Sequence, residues 1–144
     1  MRRSALLFRK HLASTLTVLL AVGIGYVGFS YLFAPVATAP SFGLPDWPEG
    51  DAADFLATKG IRDLVSGLIP LTLLLTGQRR ALGWVLAVET IVPATDMLLV
   101  LTSGGSVVTA LAVHGLTAVA VLATGVLLLT EPRVATGDVR GIGR

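Results

Sequence analysis

The chain has 144 residues, 53% of them hydrophobic and only 14% charged, where a soluble domain carries about 25% charged residues. With a mean hydropathy of +0.80, this composition points to a one-domain integral membrane protein and away from a soluble core. A net charge of +2 from scattered basic residues excludes a nucleic-acid stripe, and the absence of cysteine excludes disulfides, thiol catalysis and thiolate metal sites.

Four apolar segments follow in chain order, at roughly 12–33, 57–76, 81–102 and 106–130, each near the about 20 residues that a spanning helix needs. The start "MRRSALLFRKH" and the "ATA" at 37–39 resemble a signal peptide and its cleavage site. The apolar run between them is longer than the about 7–15 residues of a signal h-region, and Pro40 stands just after the cut. The expectation is an uncleaved first span. That span carries no charge, and Ala21, Gly25 and Gly28 give it a small surface for close helix packing.

Between the first two spans lies "APVATAPSFGLPDWPEGDAAD", with four of the seven prolines. It reads as an extended, turn-rich outer loop over 34–55, a connector or a lid, with Asp51 capping the next helix. Gly60 reads as a bend where the chain enters the membrane. The second segment is the least apolar, with only the 13 residues Leu64 to Thr76 uncharged between Asp63 and Gly77. It spans only if Arg62 and Asp63 are drawn into the membrane or the bilayer thins. Tyr31 and Trp47 suit an aromatic belt at the outer interface and Trp84 at the inner one, or are equally ordinary packing aromatics.

Nine of the eleven Lys and Arg fall in three regions: before span one, at Arg79 and Arg80, and after span four at Arg133, Arg140 and Arg144. Four spans put these regions on one side, which the positive-inside rule makes cytoplasmic. The fold class expected is therefore an all-α, antiparallel four-helix bundle in the cell membrane with both termini cytoplasmic. The outer loop carries only acidic charges, Asp46, Glu49, Asp51 and Asp54.

Arg62, Asp63, Glu89, Asp96 and His114 lie within the spans, where an ionised side chain costs about 2.5–3.5 kcal/mol at the bilayer centre. A rise of about 1.5 Å per residue puts Arg62, Asp63, Asp96 and His114 in one outer layer, roughly 8–12 Å deep, and Glu89 roughly 20 Å deep. Glu89, Pro93 and Asp96 share a helix face, as do Asp63, Gly67 and Pro70. Pro93 and Pro70 free the carbonyls of Glu89 and Ser66, which a small wet cavity would satisfy. Fully ionised acids leave this group at −2 with His114 neutral, so a proton, water or a cation must offset it. The same pattern serves proton transfer or a structural hydrogen-bonded network. The scattered acids and single intramembrane histidine make no metal ligand set, and no phosphate loop, nucleophile elbow or nucleotide fingerprint is present.

"KGIRDLVSGL", "GQRRALGW", "VPATDMLLVL" and "AVHG", in that order, resemble the small membrane family named domain of unknown function 4267. In outline they are also similar to the DoxX-like four-helix proteins. The resemblance implies a four-helix membrane fold with Arg62, Asp63, Asp96 and His114 as its polar signature and brings no reaction; Glu89 maps to no family motif.

The leading expectation is a site in the outer half of the bundle for a lipophilic small molecule. There Arg62 and Glu89 bind substrate, or Arg62 holds Asp63; Asp96 and His114 exchange protons, and Asp63 tunes them. If catalytic, the chemistry is cofactor-free isomerisation, cyclisation or hydration, with no cofactor or metal. The alternatives are a non-catalytic subunit or scaffold with a structural polar network, and a small proton-coupled transporter. The partners expected are membrane lipid and the lipophilic molecule, with homo-oligomerisation open and no nucleic acid.

Overall fold

The computed structural model describes residues 2–132, and every regular element among them is helical. Four long helices carry the chain: α1 (Arg2–Phe33), α2 (Asp54–Leu75), α3 (Arg79–Thr102) and α4 (Val107–Leu129). Three of them, α1 over Ser4–Phe33, α3 and α4, are long and apolar enough to cross a membrane. The 22-residue α2 is not among these, because Asp54, Lys59, Arg62 and Asp63 crowd its first ten residues. Arg133, Arg140 and Arg144, on which the orientation partly rests, lie outside the described residues.

Two seams of small residues bring backbones together. A Cβ on Gly28 would stand 2.5 Å from the amide nitrogen of Leu64 and 2.7 Å from the carbonyl oxygen of Gly60. One on Gly67 would stand 2.6 Å from the carbonyl oxygen of Ala21. The small surface of α1 thus meets α2 backbone to backbone, as small residues allow where apolar burial drives little association. Gly60 is therefore no bend: it lies buried inside an unbroken helix, and its missing side chain makes room for α1. The second seam joins α3 to α4, where a Cβ on Gly125 would stand 3.0 Å from the carbonyl oxygen of Gly83. Around it Ala13, Leu82, Leu86, Val121 and Leu128 form the buried core.

The segment between α1 and α2 is not extended. It holds a helical turn at Pro35–Thr38, a 3-10 turn at Ala39–Phe42 and another at Gly50–Ala53. Pro35 is the first and Pro40 the second residue of its turn, where a missing N–H breaks no bond within the turn. Asp51 caps nothing; it lies within the third turn, and α2 begins at Asp54 without a side-chain cap. Gly43 adopts φ 94° and accepts a bond from the amide of Ser106 at 2.8 Å, which pins the loop to the α3–α4 turn. Ser106 caps α4 by accepting from the amide of Thr109.

Two irregularities interrupt the regular helices. α3 is interrupted at Thr90, between Arg79–Glu89 and Ile91–Thr102. Pro93 explains the weakness, since it has no N–H for the carbonyl of Glu89. In α4, Ala110–Gly115 forms a π-helical turn, a local widening often found at functional sites.

At the end formed by the start of α1, the α2–α3 turn and the end of α4, Arg79 grips Glu131 in a bidentate pair at 2.6 and 2.5 Å. It also donates to Ser14 Oγ at 2.8 Å and to the carbonyl of Lys10 at 3.2 Å. Arg9 donates to the carbonyl of Leu127 and to Thr130 Oγ1.

Candidate functional site

A cavity of about 280 Å³ lies between the helices at the opposite end. Its apolar walls include Ile24, Val27, Leu86, Val92, Val113 and Val121, from α1, α3 and α4. Asp63, Glu89, Asp96 and His114 also line it, together with Lys59, Tyr31 and Phe42. A second chamber of about 280 Å³ sits under the loop, against Leu44, Trp47 and Pro48. The two share Tyr31, Phe42, Lys59, Asp63, Val92 and Asp96, which form the partition between them.

Asp63 is 6% exposed, and its ion-pair partner is Lys59 at 2.5 Å, one helical turn earlier. Arg62, the residue just before it, points elsewhere: it is exposed and lines only the second, outer chamber under the loop. The expectation that Arg62 holds Asp63 is thereby corrected. Residues one apart lie about 100° apart around a helix, while residues four apart stack. The Lys59 ammonium also stands 5.1 Å from the ring centre of Tyr31 and 5.3 Å from that of Phe42, within cation–π range. Tyr31 is 2% exposed, a wall of both chambers and no interfacial belt residue. Lys59, Tyr31 and Phe42 are the site residues that sequence reasoning did not single out. The i, i+4 spacing of Lys59 and Asp63 was the available signal for the first; the aromatic pair had none.

His114 projects from the π-helical turn and is 8% exposed. Its Nε2 lies 2.9 Å from the carbonyl oxygen of Phe42. A carbonyl only accepts, so Nε2 is the donor and the neutral ring carries its lone pair on Nδ1. That Nδ1 stands 4.0 Å from Asp96 Oδ2, beyond hydrogen-bond length. The Phe42 and His114 rings lie 4.7 Å apart at 56°. His114 thus ties the loop to α4 with one nitrogen and turns the other toward the carboxylate.

Glu89 lines the same cavity seven residues from Asp96, roughly 10 Å along α3. It enters none of the ion pairs among the described residues. Pro93 on α3, and Ser66 and Pro70 on α2, also face this space, so the carbonyls those prolines leave free sit near it. Among the described residues no group of three or more His, Cys, Asp or Glu could hold a metal ion.

No curated protein and no solved structure matches the chain, so the likeness to DoxX-like proteins finds no counterpart. The family model described as a domain of unknown function (DUF4267) does match, over residues 8–128, a stretch that includes every site residue described above; the chain belongs to that family.

Proposed function

We propose that the chain is a four-span integral protein of the cell membrane whose inner cavity binds a lipophilic small molecule. The observation that carries this reading is a single cavity with apolar walls and a polar cluster, Lys59, Asp63, Asp96 and His114, at one end. Such a shape suits a molecule with a hydrocarbon body and a polar head. In the proposed topology the helices run antiparallel, α2 is drawn into the membrane with its charges turned inward, and α1 stays uncleaved. The Arg9–Arg79 end is cytoplasmic with both termini, and the loop is outside. The pairing of Gly28 with Gly60 and of Ala21 with Gly67 supports opposite directions for α1 and α2. The neutralised Lys59–Asp63 pair supports the insertion of α2, because a pair costs less to bury than its members alone. If the bound molecule is transformed, Asp96 and His114 exchange its protons and Asp63, held by Lys59, sets their field.

The test is native mass spectrometry and solvent extraction of the full chain purified in lipid nanodiscs. A non-bulk molecule that co-purifies with the wild type and is lost in His114→Ala, with the fold retained, supports the reading. Only bulk lipid in both preparations removes it. A second reading is favoured by the bond between His114 and Phe42: a non-catalytic membrane subunit in which the network fixes the loop on the bundle. Under that reading His114→Ala loosens the loop and changes no bound molecule.

A further inference from the structure

We infer that the cavity takes an amphiphile with a primary amine head, its ammonium between Asp96 and His114 and its hydrocarbon tail along the apolar walls. This rests on the lipophilic-ligand reading above and names the head group. The first support is hydrogen-bond complementarity. His114 Nε2 is committed as a donor to Phe42, so neutral Nδ1 is an acceptor, and it faces Asp96 Oδ2, a second acceptor, at 4.0 Å. Two acceptors turned toward each other at that distance are bridged by a group that donates twice. An ammonium has three N–H donors in a compact head. A hydroxyl has one, which serves only one of the pair, and a carboxylate head has none.

Charge gives the second support. Lys59 is closed on Asp63 at 2.5 Å, and Arg62 lines only the outer chamber. The carboxyls left in the inner cavity are Asp96, which faces His114 Nδ1 at 4.0 Å and has no Lys or Arg within ion-pair distance among the described residues, and Glu89, which has no ion pair among them. Two half-buried carboxylates on one cavity favour a counter-charge, and a ligand cation supplies it. The third support is shape. Away from Asp96 the space is walled mainly by Val92, Val113, Val121 and Leu86, with Ser66 and Thr117 among them, a surface that accepts a hydrocarbon chain. The ring of Phe42, tilted against that of His114, gives the head an aromatic neighbour.

The experiment uses the full chain in phosphatidylcholine nanodiscs and three decyl probes that carry a diazirine in the tail and end in an amine, an alcohol or a carboxylate. Cross-links are mapped by peptide mass spectrometry. The amine probe is expected to label cavity positions such as Thr117 and Val121 about tenfold more than the other two, and Asp96→Asn to bring it down to the level of the alcohol. Thermal unfolding checks that variant, and if it does not fold, the probe series on the wild type decides alone. Equal cavity labelling by the alcohol or the carboxylate overturns the amine head and leaves the lipophilic site standing. Labelling only on lipid-facing positions by all three overturns both.

Discussion

The two ends of the molecule use charge in opposite ways. At one, Arg79 spends its guanidinium on Glu131, Ser14 and the carbonyl of Lys10, joining three elements. At the other, Lys59 and Asp63 close on each other, while Asp96, Glu89 and His114 Nδ1 stand around a cavity without short partners. A guanidinium suits the first end because its fixed fork serves several acceptors at once. The comparison separates a lock from a site: polar groups that satisfy one another hold structure, and those left facing a space are set to meet something else.

The largest effect that sharpens this contrast concerns what holds the outer end if charge does not. Gly60→Ala puts a methyl 2.8 Å from the carbonyl oxygen of Gly28 and 2.9 Å from the amide of Leu32. Neither backbone can retreat, so a loss of about 3 kcal/mol is expected in detergent unfolding. A neutral result would mean that α1 and α2 are not sealed backbone to backbone. Next comes Arg79→Ala, expected to cost about 2–3 kcal/mol through lost charge-assisted bonds, with photolabelling of the cavity unchanged. Altered labelling there would show that the two ends are coupled.

Lys59→Met is expected to cost less, about 1–2 kcal/mol, because the Asp63 it strands borders a cavity that water can enter. If it destabilises the fold more than Arg79→Ala does, the outer end is also a lock and the contrast fails. The smallest effect is expected for Arg62→Ala. That side chain is exposed and has no ion pair among the described residues, so stability should stay within about 0.5 kcal/mol. A larger loss would restore to Arg62 the role assigned here to Lys59.

Much of this arrangement was legible along the chain. The apolar segments fall on the long helices, and the small residues of span one lie on the seam with α2. The meeting of Asp63, Asp96 and His114 follows from helical rise and periodicity, because these count along one element at a time; the roles of the three are a separate matter that geometry does not touch. What was not legible depended on contacts between elements. Tyr31 reads as an interfacial aromatic until α2 and the loop cover it. Gly60 reads as a bend until Gly28 is placed against it. The loop reads as extended because four prolines suggest breakage, yet two of them open short helical turns. Arg62 reads as the partner of Asp63 because it is adjacent in sequence, yet Lys59, one turn earlier, shares its face of the helix. The π-helical turn under His114 has no marker in "ALAVHG" at all.

The break in α3 has a mechanical consequence. Its inner half, Arg79–Glu89, is bolted to α4 by the close approach of Gly83 and Gly125, while its outer half, Ile91–Thr102, carries Asp96 beyond a missing rung at Pro93. A bending load on the outer half is therefore poorly transmitted past Thr90. The wall that carries Asp96 is thus spliced to the frame beneath it with one backbone bond fewer than an unbroken helix would have.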